Sequence, residues 1–207
     1  MTTHLSLQRM LLPTAQVSDL TTGSITLPSA RGQFVIPVTD FFQSIETIAP
    51  SQGASSISFT SIPQTYTHLM IRGMMKSNDG GVGNGFAGMR YNSDSALNYW
   101  GVNAYGNGSN LLSLSYNLSY AMFGQTPYLG NNNLYAFYNA ILPNYTDASN
   151  PQLCFGDQIL EQGGSDQSAG LASSVWTTTA AITSITILGT FGPSCRFGLY
   201  GIKGEGQ

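Results

Sequence analysis

The chain has 207 residues, enough for one or two domains, and only 8% of them are Asp, Glu, Lys or Arg, about a third of the usual charged fraction. Seven bases against ten acids, for a net charge of -3, exclude the basic footprint that nucleic acid or an anionic membrane surface requires. With 42% hydrophobic residues, 11 Tyr, 10 Phe and 2 Trp, the chain is too apolar to remain disordered and must bury a core.

The N-terminus, MTTHLSLQRMLLPTAQV, shows no basic region followed by a long apolar stretch, so no secretory signal is expected. No run approaches the roughly 18 apolar residues of a transmembrane helix, and a membrane is not expected as a partner. Residues 1–50 carry Pro13, Pro28, Pro37 and Pro50 with short apolar clusters between them. Proline fixes its own torsion and lacks a backbone donor, so this segment reads as an extended arm and not as a central strand or long helix. Leu5, Leu7, Met10, Leu11 and Leu12, then Phe34, Val35, Ile36, Val38, Phe41 and Phe42, are too many for a solvated tail. They require a surface, either on their own domain or on a neighbouring subunit.

Residues 51–207 alternate β-branched and aromatic runs with Gly, Asn, Ser and Pro, the pattern of an antiparallel β-sandwich. Strands are expected at 55–60, 66–75, 86–91, 97–105, 111–123, 134–142, 152–160, 181–190 and 195–202. Side chains alternate at period two, so Leu69 and Ile71 share one face, with His68, Met70 and Arg72 on the other. Ile185 with Ile187 and Phe197 with Leu199 repeat the pattern. These six are the expected core. The 24 glycines weaken any helix, and helix content should be low.

Few motifs carry chemistry. Gly83-Asn84-Gly85-Phe86-Ala87-Gly88 matches GxGxxG, but Met89-Arg90-Tyr91-Asn92 follows, and a dinucleotide site needs a helix there. It reads as a glycine-rich hairpin loop. The carboxylates are scattered, with no catalytic pair or triad legible in sequence. His68 lies mid-strand and reads as structural. His4 and His68 are the only histidines, so no His-rich metal site is expected, and neither is any cofactor. Asp79-Gly80 reads as a turn. Cys154 and Cys195 read as two buried thiols in preference to a bridge. Asn107, Asn117 and Asn144 begin glycosylation triplets that a chain lacking a secretory signal would not use.

Tyrosine is in excess across the middle of the chain. Tyr116, Tyr120, Tyr128, Tyr135 and Tyr138, with Asn, Ser and Gly around them, suit protein contact or sugar stacking. They equally suit a core whose hydroxyls reach outward.

Four segments, Ser56-Ile57-Ser58-Phe59-Thr60-Ser61-Ile62-Pro63-Gln64-Thr65-Tyr66-Thr67-His68-Leu69-Met70-Ile71-Arg72-Gly73, Met89-Arg90-Tyr91-Asn92-Ser93-Asp94 with Asn98-Tyr99, Ile182-Thr183-Ser184-Ile185-Thr186-Ile187 and Cys195-Arg196-Phe197-Gly198-Leu199-Tyr200-Gly201-Ile202-Lys203, occur in the order seen in one family. They resemble the "sIpqtYthL.irg", "iRfNgDs..nY" and "Srf.LYGik" blocks of a recurrent family of tailed-bacteriophage virion proteins, over roughly residues 53–204. Cys195 stands where serine is commoner. The resemblance implies a jelly-roll-like β-sandwich of the virion, made in the bacterial cytoplasm and without enzymatic activity. The resemblance leaves the position on the virion open; the role expected first is a capsid decoration or cement protein acting as a symmetric homo-oligomer, a homotrimer, beside other virion proteins. The alternative it leaves open is a tail-fibre or tail-tip module binding a host glycan.

Overall fold

The computed structural model describes residues 24–29, 32–37, 41–76, 86–125, 134–163 and 166–204. The chain divides into two units, residues 1–40 and 41–207. In the first, β1 (Ser24–Ser29) and β2 (Gly32–Pro37) pair antiparallel, with Ser24 opposite Pro37 and Ser29 opposite Gly32. Pro28 is tolerated inside β1 because a two-stranded sheet is all edge. Within the segment expected to be simply extended, residues 24–37 thus form a hairpin, with Phe34, Val35 and Ile36 opposite Leu27, Thr26 and Ile25. Leu5, Leu7, Met10, Leu11 and Leu12 lie outside the described residues.

The second unit holds β3 (Phe42–Ile48), β4 (Ser56–Phe59), β5 (His68–Met75), β6 (Phe86–Tyr91), β7 (Tyr99–Gly106), β8 (Leu111–Leu118), β9 (Ala121–Gln125), β10 (Ala136–Pro143), β11 (Gln152–Gly163), β12 (Asp166–Trp176), β13 (Ile185–Leu188) and β14 (Arg196–Ile202). No helix occurs among the described residues. An eight-stranded sheet runs β3-β14-β5-β10-β11-β12-β7-β8, and a four-stranded sheet runs β4-β13-β6-β9. Every recorded pairing is antiparallel. The two sheets pack around one core, and the protein is an all-β sandwich.

Leu69, Ile71, Ile185, Ile187, Phe197 and Leu199 are all fully buried in that core. The alternation read along β5 holds, with Leu69 and Ile71 inward and Arg72 exposed. The strand expected at 111–123 is two strands. The chain leaves the larger sheet after β8, bends at Ser119 and Tyr120, and enters the smaller sheet as β9. β12 was not expected, because Ser168, Ala169, Gly170, Ala172, Ser173 and Ser174 carry no β-branched signature. It is imposed by hydrogen bonding to β11 on one side and β7 on the other. β3 falls within the range read as an arm, yet it pairs with β14 at the sheet edge. Phe41 and Phe42 therefore belong to the second unit, where Phe42 stacks on Tyr200 with ring centroids 4.8 Å apart.

The block Arg90–Tyr99 is a structural hub. Asn92 and Ser93 take positive φ of 50° and 61°, which gives a tight turn after β6. The Asn92 Oδ1 accepts from the N–H groups of Thr183 and Ser184, at 2.8 and 3.2 Å, while its Nδ2 donates to the Ala181 carbonyl at 2.8 Å. This clamp occupies residues 181–184, so β13 is shorter than the expected 181–190. Trp176 Nε1 donates to Asp94 Oδ2 at 2.7 Å, and the carboxylate also accepts from Asn98 and the Ala96 N–H, each at 2.9 Å. Burial opposes ionisation of Asp94, but the bonds from Asn98, Trp176, Ala96 and Thr178 outweigh it and hold the carboxyl below its ordinary range. Tyr91, Tyr99 and Trp176 form one buried aromatic cluster under this turn.

Both cysteines are free and buried. Burial pushes the Cys154 thiol up to about 11, with the Tyr91 and Ser174 hydroxyls beside it. Cys195 is raised by burial as well; its Sγ accepts from the Lys76 N–H at 3.1 Å and donates to the Lys76 carbonyl at 3.2 Å. Only the thiolate reacts rapidly. In the folded protein at pH 7.5 a maleimide or disulfide reagent should therefore label neither cysteine within an hour, and in denaturant it should label both. Rapid native labelling of Cys154 would contradict its packing.

Candidate binding surface

The tyrosines expected at a contact surface do not converge. Tyr138 is 3% exposed, which selects the core reading of its two and removes it from the possible contact surface. It points inward from β10, its hydroxyl donates to the Gln125 carbonyl, and its ring meets Phe123 edge-on at 5.1 Å. The Gln158 side-chain carbonyl accepts from the Gln125 N–H, so the same residue of β9 is held twice. Tyr116 is half-buried, and its hydroxyl donates to the Met122 carbonyl at 3.2 Å. Tyr120 covers Gly88, where an added Cβ would come within 2.4 Å of the ring; only glycine allows that approach. Tyr135 is half-buried, with Lys76 Nζ 5.7 Å from its ring centroid. Tyr128 lies outside the described residues. Bulk and hydroxyl together place most of these rings at the boundary of the core, with one edge bonded to a nearby carbonyl.

The exposed apolar surface lies elsewhere, on the face of the eight-stranded sheet turned away from the smaller sheet. Alternation along each strand fixes that face. On β11, Cys154, Gly156, Gln158 and Leu160 are buried, while Leu153, Phe155 and Ile159 stand out at 52%, 49% and 62% exposure. The neighbours continue the surface: Phe137 on β10, Leu171 on β12, and Trp100 and Val102 on β7 are all about half exposed. Register aligns them, since Ile141 is opposite Phe155, Phe155 opposite Ser173, and Ser173 opposite Val102. A groove of about 700 Å³ crosses this face between Trp100, Val102, Asn117, Leu153, Phe155 and Val175. A contiguous apolar face on this scale marks a place where another molecule docks.

Sequence reading missed these residues. Alternation within 97–105 and 152–160 was legible, but it does not say which set of side chains meets the second sheet.

Two of the groups that could carry acid-base chemistry have structural partners. His68 Nδ1 accepts from the Asn144 N–H at 3.0 Å, and Asp94 serves the turn described above. Phe86–Tyr91 is a strand that contains Gly88, the last glycine of the GxGxxG match, and no helix begins there. No helix among the described residues is long and apolar enough to cross a membrane. Comparison with protein-family models, with curated proteins and with solved structures finds no match to this chain.

Proposed function

We propose that this chain is a non-enzymatic structural protein of a bacteriophage virion, a decoration or cement protein that acts as a homo-oligomer on the capsid. The observation that carries the reading is the broad apolar face on a body nearly free of charge. Such a surface binds other proteins by apolar contact, which salt does little to screen. The four resembling segments support the virion assignment. In this fold they supply Asp94, which Trp176 bonds, the clamp of Asn92 and the strand β14 that joins β3 to β5, which are scaffold roles.

A second reading, a tail-fibre module holding a host glycan, is favoured by one feature. Trp100 stands 55% exposed at the rim of the groove, beside the amide of Asn117 and the hydroxyl of Ser115, and sugar rings stack on such an indole. Copy number separates the two. Localisation in an electron-microscopy map of the intact particle should find hundreds of copies on the shell. A few tens at the tail would support the second reading, and complete absence from the particle would end both.

A further inference from the structure

We infer that the outer face of the eight-stranded sheet is where two copies of this chain pair, face to face, about a twofold axis running along β10. The inference deepens the proposed function and rests on its homo-oligomeric part. It assigns pairing, where the sequence had led to the expectation of a trimer.

Size is the first argument. About an axis on β10, seven of the eight strands overlap; at about 4.8 Å spacing, with seven or more residues at about 3.3 Å rise, they make a face of roughly 800 Å², which matches the ~800 Å² per partner of a standard specific interface. One sheet face is therefore enough for a stable pair. About this axis β11 of one copy lies over β5 of the other, and because Ile141 is opposite both Phe155 and Met70, and Phe137 opposite both Ile159 and Met74, apolar side chains meet apolar ones, as in sheet-on-sheet packing.

Charge placement is the second argument, and it selects the axis. Arg72 on β5 and Asp157 on β11 flank β10 in a single row, since Arg72 is opposite Asn139 and Asn139 is opposite Asp157. Asn139 Nδ2 bonds Asp157 Oδ1 at 2.9 Å. Arg72 is exposed and forms no ion pair among the described residues. Rotation by 180° about β10 exchanges the two flanks, so Arg72 comes over Asp157 of the partner subunit and the reverse contact forms in the same row. Along β10 itself the outward residues Phe137, Asn139 and Ile141 carry no charge and can lie against their own copies. An axis along β11 would set Asp157 against itself, and one along β5 would do the same to Arg72. Like charges in direct opposition are strongly unfavourable.

The test uses the full chain in solution, with mass measured by sedimentation equilibrium and folding checked by circular dichroism. The wild type should be a dimer. Arg72→Asp and Asp157→Arg should each weaken it about tenfold or more, and Phe155→Arg, at the centre of the apolar patch, should leave folded monomer. The Arg72→Asp/Asp157→Arg double variant should recover most of the wild-type affinity, an outcome that a merely structural role for either residue would not give. A wild type that is monomeric at all concentrations overturns the inference, as does a trimer or a double variant no tighter than the singles. A monomer destabilised by Phe155→Arg would mean that the face is closed within a single chain, which also overturns it. Dimer formation in solution and occupancy of the particle are read separately, so the failure of either is recognisable.

Discussion

Replacement of Trp176 by alanine should destabilise the protein by about 3–5 kcal/mol, a large part of the 5–15 kcal/mol by which a domain is usually stable. Trp176 is 2% exposed. It stacks on Tyr99 at 6.3 Å and meets Tyr91 edge-on at 5.6 Å, while its indole N–H reaches Asp94. Alanine empties the space beneath the turn and leaves a carboxylate short of one donor. Trp176→Phe separates the two losses: it keeps a ring in the core and removes only the hydrogen bond, for a cost of roughly 1.5–3 kcal/mol, the range for a bond to a charged group. Acid then provides a signed check. Asp94 titrates lower in the folded chain than in the unfolded one, so its contribution is complete above the unfolded value of about 3.9 and is lost as pH falls through the folded one. The gap in stability between wild type and Trp176→Phe should therefore be constant near neutrality and shrink below about pH 4. Denaturant melts across that range measure it, and a gap that widened in acid would show that Asp94 is not the partner that matters.

Removal of residues 1–40 should abolish joining to the particle while the sandwich remains folded. The buried cluster, from Ile57 to Leu199, lies wholly within residues 41–207. The cut also preserves β3 and its register with β14, from Phe42 opposite Ile202 to Ile48 opposite Phe197. A truncation at residue 50 would instead remove β3, leave the edge of β14 unpaired and take away the partly buried Ile45 and Ile48 that pack against the core, so it should lower Tm as well. Both outcomes together would assign the apolar residues of the N-terminal segment to anchoring and not to folding. Calorimetry of the truncated chain, together with a co-sedimentation assay on particles lacking the protein, tests both halves. Unchanged binding by the truncated chain would remove the anchoring role, and failure to fold would show that the first unit supports the second.

Period-two alternation located the strands whose two faces differ, such as β5, β13 and β14, and each core residue chosen on that basis is buried. The pattern was silent where both flanks of a strand are paired by backbone alone. β12 is built largely of Ala, Gly and Ser and exists because β11 and β7 leave a gap one strand wide between them. Likewise, alternation ran unbroken through 111–123, since a bend that moves the chain between layers costs the pattern nothing. Only the fall of Ser119 and Tyr120, with Arg90 Nε donating to the Ser119 carbonyl at 3.1 Å, shows the crossing. Tyrosine was ambiguous for a related reason: composition counts rings, whereas burial depends on which carbonyl each hydroxyl can reach.

From its residues alone, then, this chain was bound to be an all-β body with little charge and an apolar N-terminal segment, because those properties follow from composition and local period. Which of two alternating sets of side chains would form the core, and which would form an open apolar face, was decided only when the smaller sheet took its side of the larger one. A strand presents two equivalent faces to its own backbone, and nothing local distinguishes them. The second layer breaks that symmetry, and in doing so it made Trp100, Phe155 and Ile159 a surface instead of a core.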